Sequence, residues 1–116
     1  MLDEFETGIQ LVVYFSQNDH IGSSLAVDAI LSKALELGFD GGSAFRAVEG
    51  FGVLHRLERG HLLSLDDDRG EMVVLVDKEE AKVRDLLEWL KMGLPGRLVT
   101  LTNVSLAHLT RKPSPS

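Results

Sequence analysis

Two hydrophobic periods alternate along the chain, and together they predict four strands and two helices. The strand-like stretches are short and rich in β-branched, leucine or aromatic residues, over residues 9–15, 43–50, 72–76 and 97–106. Between them, apolar residues recur at three-and-four spacing over 23–38 and again over 77–93, which is typical of amphipathic helices. The predicted element order is therefore strand, helix, strand, strand, helix, strand.

Residues with known helix-capping preferences flank both predicted helices. Ser23 or Ser24 can cap the start of the first helix, and Gly38 suits the left-handed position that ends it. The segment Asp77-Lys78-Glu79-Glu80 has the pattern of a capping box for the second helix, and Gly93 marks its end.

Two strand–helix–strand units in one short chain predict an α+β fold, a ferredoxin-like split β-α-β sandwich of order βαββαβ. Its antiparallel sheet would carry both helices on one face. Residues 11–15 and 72–76 are apolar on both sides, so the second face of the sheet also needs a cover, which favours an oligomer packed through the sheet. We expect an N-terminal extension over 1–8, a folded domain over 9–107 and a disordered tail over 108–116.

Composition narrows the class of protein without assigning a function. The chain has 116 residues, no cysteine and a net charge of −6, which together predict one domain without disulfides, thiolate metal sites or cysteine nucleophiles. The acidic balance argues against a nucleic-acid partner. No apolar run approaches the roughly 20 residues that span a bilayer, and the N-terminus is acidic, so we expect a cytoplasmic protein.

An ordered set of short motifs resembles a known family. The most specific part is Arg46 followed by Gly50-Phe51-Gly52 and, after a spacer, Leu63-Ser64-Leu65. With the strand ending in Tyr14-Phe15 and the segment Val74-Leu75-Val76-Asp77, this order resembles the bacterial domain-of-unknown-function family 190, over about residues 8–107. That family is related to the PII signalling proteins and to CutA.

The resemblance implies a PII-like ferredoxin fold, a homotrimer and a role in signal transduction. Small ligands, often adenine nucleotides, would lie in clefts between subunits. The long loop over residues 51–62 would change shape with the ligand or contact a partner protein. Some family members are encoded beside fluoride exporters or fused to them, which implies a membrane transporter as partner.

The chain departs from the family pattern at three places. Ser16-Gln17 stands where Gly-Glu is usual, Glu58 stands where the long loop usually has a histidine, and Asp68-Arg69-Gly70 replaces Asp-Leu-Pro. The first two changes weaken the transfer of a binding role to positions 17 and 58.

The candidate ligand site lies at the end of the second predicted strand and the start of the long loop. Glycine backbone, arginine forks and an aromatic ring suit a nucleotide or another small anionic ligand, and they predict the set Phe45, Arg46, Gly50, Phe51, Gly52 and Arg56. The candidate partner-binding residues in the loop are His55, Glu58, Arg59 and His61. The structural alternative is a strand end whose arginines pair with Glu49, Glu58 and Asp66–Asp68.

One feature argues against nucleotide binding of the PII kind. PII proteins hold phosphates with a glycine-rich, lysine-bearing loop before the second helix, whereas Val76-Asp77 passes directly into the helix here. Asp77, Glu79 and Glu80 already complement the helix dipole and would repel an anion.

Three other functional classes remain open. His55, His61 and Glu58 could bind a divalent metal, as in a CutA-like metal-tolerance protein, although solvated histidines in a loop are the simpler interpretation and no metal site is predicted. A structural trimeric scaffold without a ligand is the second class. An enzyme is disfavoured, because Ser64 with His61 has no orienting third group or oxyanion hole, and Asp19 with His20 lies in a polar loop with no further catalytic group.

Overall fold

A computed structural model of the chain describes residues 3–47 and 69–111. Eight elements follow in chain order: β1 (Glu6–Ser16), β2 (His20–Ile21), β3 (Ser24–Leu25), α1 (Ala26–Leu37), β4 (Gly41–Arg46), β5 (Gly70–Asp77), α2 (Glu80–Gly93) and β6 (Val99–Leu106). Apart from the two-residue strands β2 and β3, this is the predicted element order.

The main sheet has four antiparallel strands in the order β4-β5-β1-β6. Its centre is the pair β1 and β5, in which Leu11 lies opposite Leu75 and Val13 opposite Val73. β6 pairs with the other side of β1, and β4 pairs with β5. This strand order, with a helix after the first and third long strands, is the predicted ferredoxin-like split β-α-β arrangement.

Both helices pack on one face of the sheet, and alternation along the strands builds the core there. Leu11, Val13 and Phe15 of β1 are fully buried, as are Val73 and Leu75 of β5. The helices and the residue after α2 contribute the remaining members of the buried cluster, which are Ala26, Ile30, Ala34, Leu86, Leu90 and Leu94. Trp89 packs against this cluster, and the ammonium of Lys33 lies 6.0 Å from its ring centroid.

The opposite face of the sheet is apolar in its central strands, as the sequence predicts, whereas Thr100 and Thr102 make it polar at β6. By the pairing register, Val12, Val74 and Val76 share this face with Tyr14, Met72 and Phe45. Neither helix packs on it, because both contact the face that carries Leu11 and Val13. Phe45 is 49% exposed.

The helix ends agree with the sequence at their C-termini and differ at their N-termini. Gly38 adopts φ 83° and its amide donates to the Leu35 carbonyl, so the predicted left-handed cap is confirmed. The predicted serine cap is wrong: α1 begins after Leu25 with no side-chain cap, because Ser24 pairs with Ile21 in a small hairpin.

The predicted capping box of α2 is also wrong. The cap residue is Glu79, whose side chain makes no cap hydrogen bond. Asp77 is instead the last residue of β5, and its buried carboxylate accepts the Glu79 amide at 2.8 Å. The helix ends at Gly93 as predicted.

None of the helices in the described part of the chain combines the length and apolar character needed to cross a membrane.

Candidate functional site

Several strand ends meet at one end of the sheet, and the predicted ligand residues begin there. β1 ends at Ser16, opposite Gly70 at the start of β5, and β4 ends at Arg46, opposite Glu71. The Ala47 amide donates to the Gly70 carbonyl at 2.8 Å and continues this pairing. Residues 48–68 therefore connect the adjacent ends of β4 and β5.

Arg46 and Glu71 form an ion pair at this end of the sheet. Nε and Nη2 of Arg46 donate to Oε2 of Glu71 at 3.1 and 2.9 Å. The Arg46 side chain is 56% exposed, whereas that of Glu71 is only 8% exposed. A buried carboxylate thus holds an arginine whose side chain is more than half exposed.

Glu71 is a partner that was not predicted. The sequence offers Glu49, Glu58 and Asp66–Asp68 as partners of the arginines, whereas the structure pairs Arg46 with Glu71. A signal was available in the sequence. Side chains along a strand alternate between its two faces, so residues 71, 73, 75 and 77 share one face, and Glu71 lies on the core face with Val73 and Leu75.

Phe45 and Arg46 are neighbours in sequence but lie on opposite faces of the sheet. Phe45 lies opposite Met72 on the face without helices, while Arg46 lies opposite Glu71 on the helix face. β4 is an outer strand of the sheet, so one ligand could contact both side chains only around that edge.

A second arginine–carboxylate pair fixes the segment after β1. Nε and Nη2 of Arg97 donate to Oδ2 and Oδ1 of Asp19 at 3.0 and 2.7 Å. The Ser16 amide also donates to Asp19 Oδ2, and the Ala26 amide donates to the Asp19 carbonyl. Asp19 therefore positions the turn between β1 and α1, and its carboxylate is bound away from His20, whose Nδ1 lies 2.9 Å from the Asn18 carbonyl oxygen.

At the other end of the sheet, Asp77 links three segments of the fold. Its carboxylate accepts the Asp40 amide at 3.0 Å and the Glu79 amide at 2.8 Å, and lies 3.5 Å from the ammonium of Lys82. Lys82 also donates to the Gly38 carbonyl. The hydrogen bond with Glu79, together with the charges of Asp77 and Glu79, raises the pKa of Lys82 above its ordinary value of 10.5.

This arrangement leaves the start of α2 poorly suited to an anionic ligand. The Asp77 carboxylate already accepts the hydrogen bond that the Glu79 amide could donate to a ligand, and Lys82 forms ion pairs with Asp77 and Glu79. The geometry agrees with the sequence argument against a phosphate site of the PII kind at this helix.

The other predicted site residues lie outside the described residues. These are Gly50, Phe51, Gly52, His55, Arg56, Glu58, Arg59 and His61. Within 3–47 and 69–111, no three histidine, aspartate or glutamate side chains are grouped as they would be in a metal site. The predictions for residues 51–62 stay predictions.

Comparison with known sequences gives two matches. A family model described as "DUF190: Uncharacterized ACR, COG1993" matches residues 8–106. A UPF0166 protein of Aquifex aeolicus (strain VF5) is 28% identical over 99 residues, which cover 85% of this chain and 92% of that protein.

Comparison with solved structures gives PII-like proteins. CPII from Thiomonas intermedia K12, bound to ADP, AMP and acetate, superposes with a TM-score of 0.61 at 14% identity, covering 90% of this chain and 92% of CPII. A PII-like signalling protein from Thermus thermophilus gives a TM-score of 0.59 at 16% identity, covering 90% and 93% of the two chains. At these identities the likeness shows the fold, which is PII-like.

Proposed function

The chain belongs to domain-of-unknown-function family 190, and from that premise we propose that it is a PII-like regulatory protein. It binds a small ligand between subunits and a partner protein through residues 51–62. The observation that carries this proposal is Arg46, which a buried carboxylate holds at the strand end where the chain departs toward those residues.

The ligand is a nucleotide or another small anion. A guanidinium with one edge fixed and the other exposed is suited to a phosphate or carboxylate group. CPII, which shares the fold, has been solved with ADP, AMP, acetate and bicarbonate. Because the start of α2 is already occupied by Asp77, the anionic group binds at Arg46 and the adjoining loop rather than at that helix.

The protein assembles as a homotrimer through the face of the sheet that lacks helices. On this face Val74 and Val76 are partly exposed, together with the aromatic side chains of Tyr14 and Phe45. Removing such a surface from water is favourable by about 25 cal/mol per Å² of apolar area, so further copies of the same face supply a suitable cover.

Ligand binding changes the arrangement of residues 51–62, and a partner recognises the change. Such a switch requires that the ligand bind the two loop arrangements with different affinities. The partner is a membrane ion exporter of the fluoride type, which follows from the family resemblance.

Titration calorimetry tests the ligand site, using ADP, AMP, bicarbonate and fluoride in turn. We expect binding of at least one of these by the wild-type protein and a loss of about tenfold or more in affinity for Arg46→Gln, which keeps a hydrogen bond to Glu71 but removes the charge. Arg84→Gln is the matched control, because Arg84 is an exposed arginine on α2 that pairs with Glu80.

The proposal fails if none of these compounds binds and variants of residues 51–62 leave capture of the exporter unchanged. Equal affinities for Arg46→Gln and Arg84→Gln would place the ligand elsewhere on the molecule.

A further inference from the structure

The two arginine–carboxylate pairs at this end of the sheet use their hydrogen bonds differently. In the pair of Arg97 with Asp19, each of the two donors meets its own carboxylate oxygen. In the pair of Arg46 with Glu71, both donors meet the same oxygen, Oε2. The second oxygen of Glu71, Oε1, is buried and accepts no hydrogen bond from residues 3–47 or 69–111.

An unpartnered buried carboxylate oxygen needs a physical explanation. Leaving a buried acceptor unsatisfied is unfavourable, and more so for a charged group. The arginine fork can satisfy both oxygens of a carboxylate, as Arg97 does for Asp19, so the chemistry of arginine does not impose the one-oxygen arrangement. Oε1 of Glu71 is therefore an acceptor without a donor among residues 3–47 and 69–111, and because it is buried, a ligand reaches it only by displacing the atoms that cover it.

We propose that Arg46 and Glu71 together recognise a small oxyanion that carries a proton. The charged oxygen of the ligand accepts from the exposed edge of the Arg46 guanidinium, and its O–H group donates to Oε1 of Glu71. This inference rests on the proposed function, since it specifies the ligand of the same site. It assigns to Glu71 the role of a specificity-determining residue.

This arrangement distinguishes anions that carry an O–H group from anions of similar size and charge that do not. An anion without a proton places a lone pair against the Glu71 carboxylate, and two acceptors facing each other repel. An anion with an O–H group satisfies the buried oxygen instead. Sites built to accept a hydrogen from a ligand strongly reject analogues that lack it, because the buried polar group is then left unpaired.

Two pairs of anions isolate this selection. Phosphate and sulfate are both tetrahedral, and bicarbonate and nitrate are both planar; within each pair only the first carries a proton near neutral pH. Each anion is titrated into the full-length protein at constant ionic strength. The Nε–H resonance of Arg46 and the amide resonance of Ala47 report binding by NMR.

We expect the protonated member of at least one pair to bind about tenfold or more tightly than its partner. Which pair discriminates also identifies the ligand: bicarbonate over nitrate indicates a carbonate-type ligand, and phosphate over sulfate indicates free phosphate, because a phosphate monoester, with a second pKa of about 6, is mostly unprotonated at neutral pH. Glu71→Gln should abolish the preference, because an amide can donate to the unprotonated anion. Glu88→Gln, an exposed glutamate paired with Lys91 on α2, should retain it.

The outcomes separate this inference from the function on which it rests. Equal affinities within both pairs in the wild-type protein would overturn the inference, even if Glu71→Gln failed to fold. If a nucleotide binds in an Arg46-dependent manner while neither pair discriminates, the proposed function stands and the role of Glu71 falls. If no anion and no nucleotide binds, both fall.

Discussion

Among single residues, Asp77 links three segments of the fold through its carboxylate. It is fully buried, and it accepts amide hydrogens from the turn before β4 and from the start of α2. We expect Asp77→Ala to lower the free energy of unfolding by about 2–4 kcal/mol, because two amides lose their acceptor and the Lys82 ammonium loses one of its acceptors. Urea denaturation followed by circular dichroism measures the change.

The matched control is Asp85→Ala, which removes an exposed aspartate from α2. Its effect should stay within about 0.5 kcal/mol, as is usual for surface positions. If Asp77→Ala were no more destabilising than this control, the contacts of Asp77 with the three segments would contribute nothing to the free energy of unfolding.

Part of this residue-level picture could be read from the sequence, and part could not. Alternation alone places Glu71 and Asp77 on the core face with Val73 and Leu75, so both buried carboxylates were predictable. The partner of each one was not, because Arg46 faces Glu71 only once β4 and β5 are in register, and register depends on the packing of the whole sheet.

At the scale of elements, α2 is held to the sheet by a narrow row of aliphatic side chains. Leu86 is fully buried in the middle of this row, between Val83 and Leu90. We expect Leu86→Ala to destabilise the protein by about 2–5 kcal/mol, through lost apolar burial and the cavity that remains. The same denaturation experiment measures it.

Met92→Ala serves as the comparison, since Met92 lies on the same helix and is 86% exposed. It should change stability by less than about 0.5 kcal/mol. Similar values for the two variants would mean that α2 is not anchored through the Leu86 row.

The sequence predicted the long elements well and the junctions poorly. Strong apolar alternation and three-and-four spacing identified four strands and two helices, but β1 begins at Glu6 rather than Ile9, because β6 extends its pairing to Leu106. The β2–β3 hairpin was missed, since two-residue strands leave no periodic signal. The capping residues were misassigned because serine and aspartate also serve other local hydrogen bonds, as Asp77 does.

For the whole molecule, the apolar face of the sheet that lacks helices predicts how copies assemble. Val74 lies at the centre of this face, between Ser43 of β4 and Val12 of β1. If trimers form through it, Val74→Lys should shift the protein from three times the chain mass toward 12.8 kDa, because a lysine would be buried unpaired in the interface. Size-exclusion chromatography with light scattering measures the mass.

Leu35→Lys is the control, since Leu35 is 80% exposed on α1, on the helix side of the sheet. It should leave the assembly unchanged. A wild-type protein that already elutes at the mass of one chain would refute the trimer. Dissociation by Leu35→Lys would indicate that the helices form the interface.

The strand order has a consequence for the chain as it is being synthesised. Among the strands of this sheet β1 is synthesised first, whereas both of its neighbours, β5 and β6, follow the other strands in the chain. Until then its segment Leu11-Val12-Val13-Tyr14-Phe15, uncharged and rich in β-formers, has both edges open. The nascent chain thus carries this apolar segment unpaired until β5 and β6 have been synthesised, and shielding by the ribosome or by chaperones is most valuable during that interval.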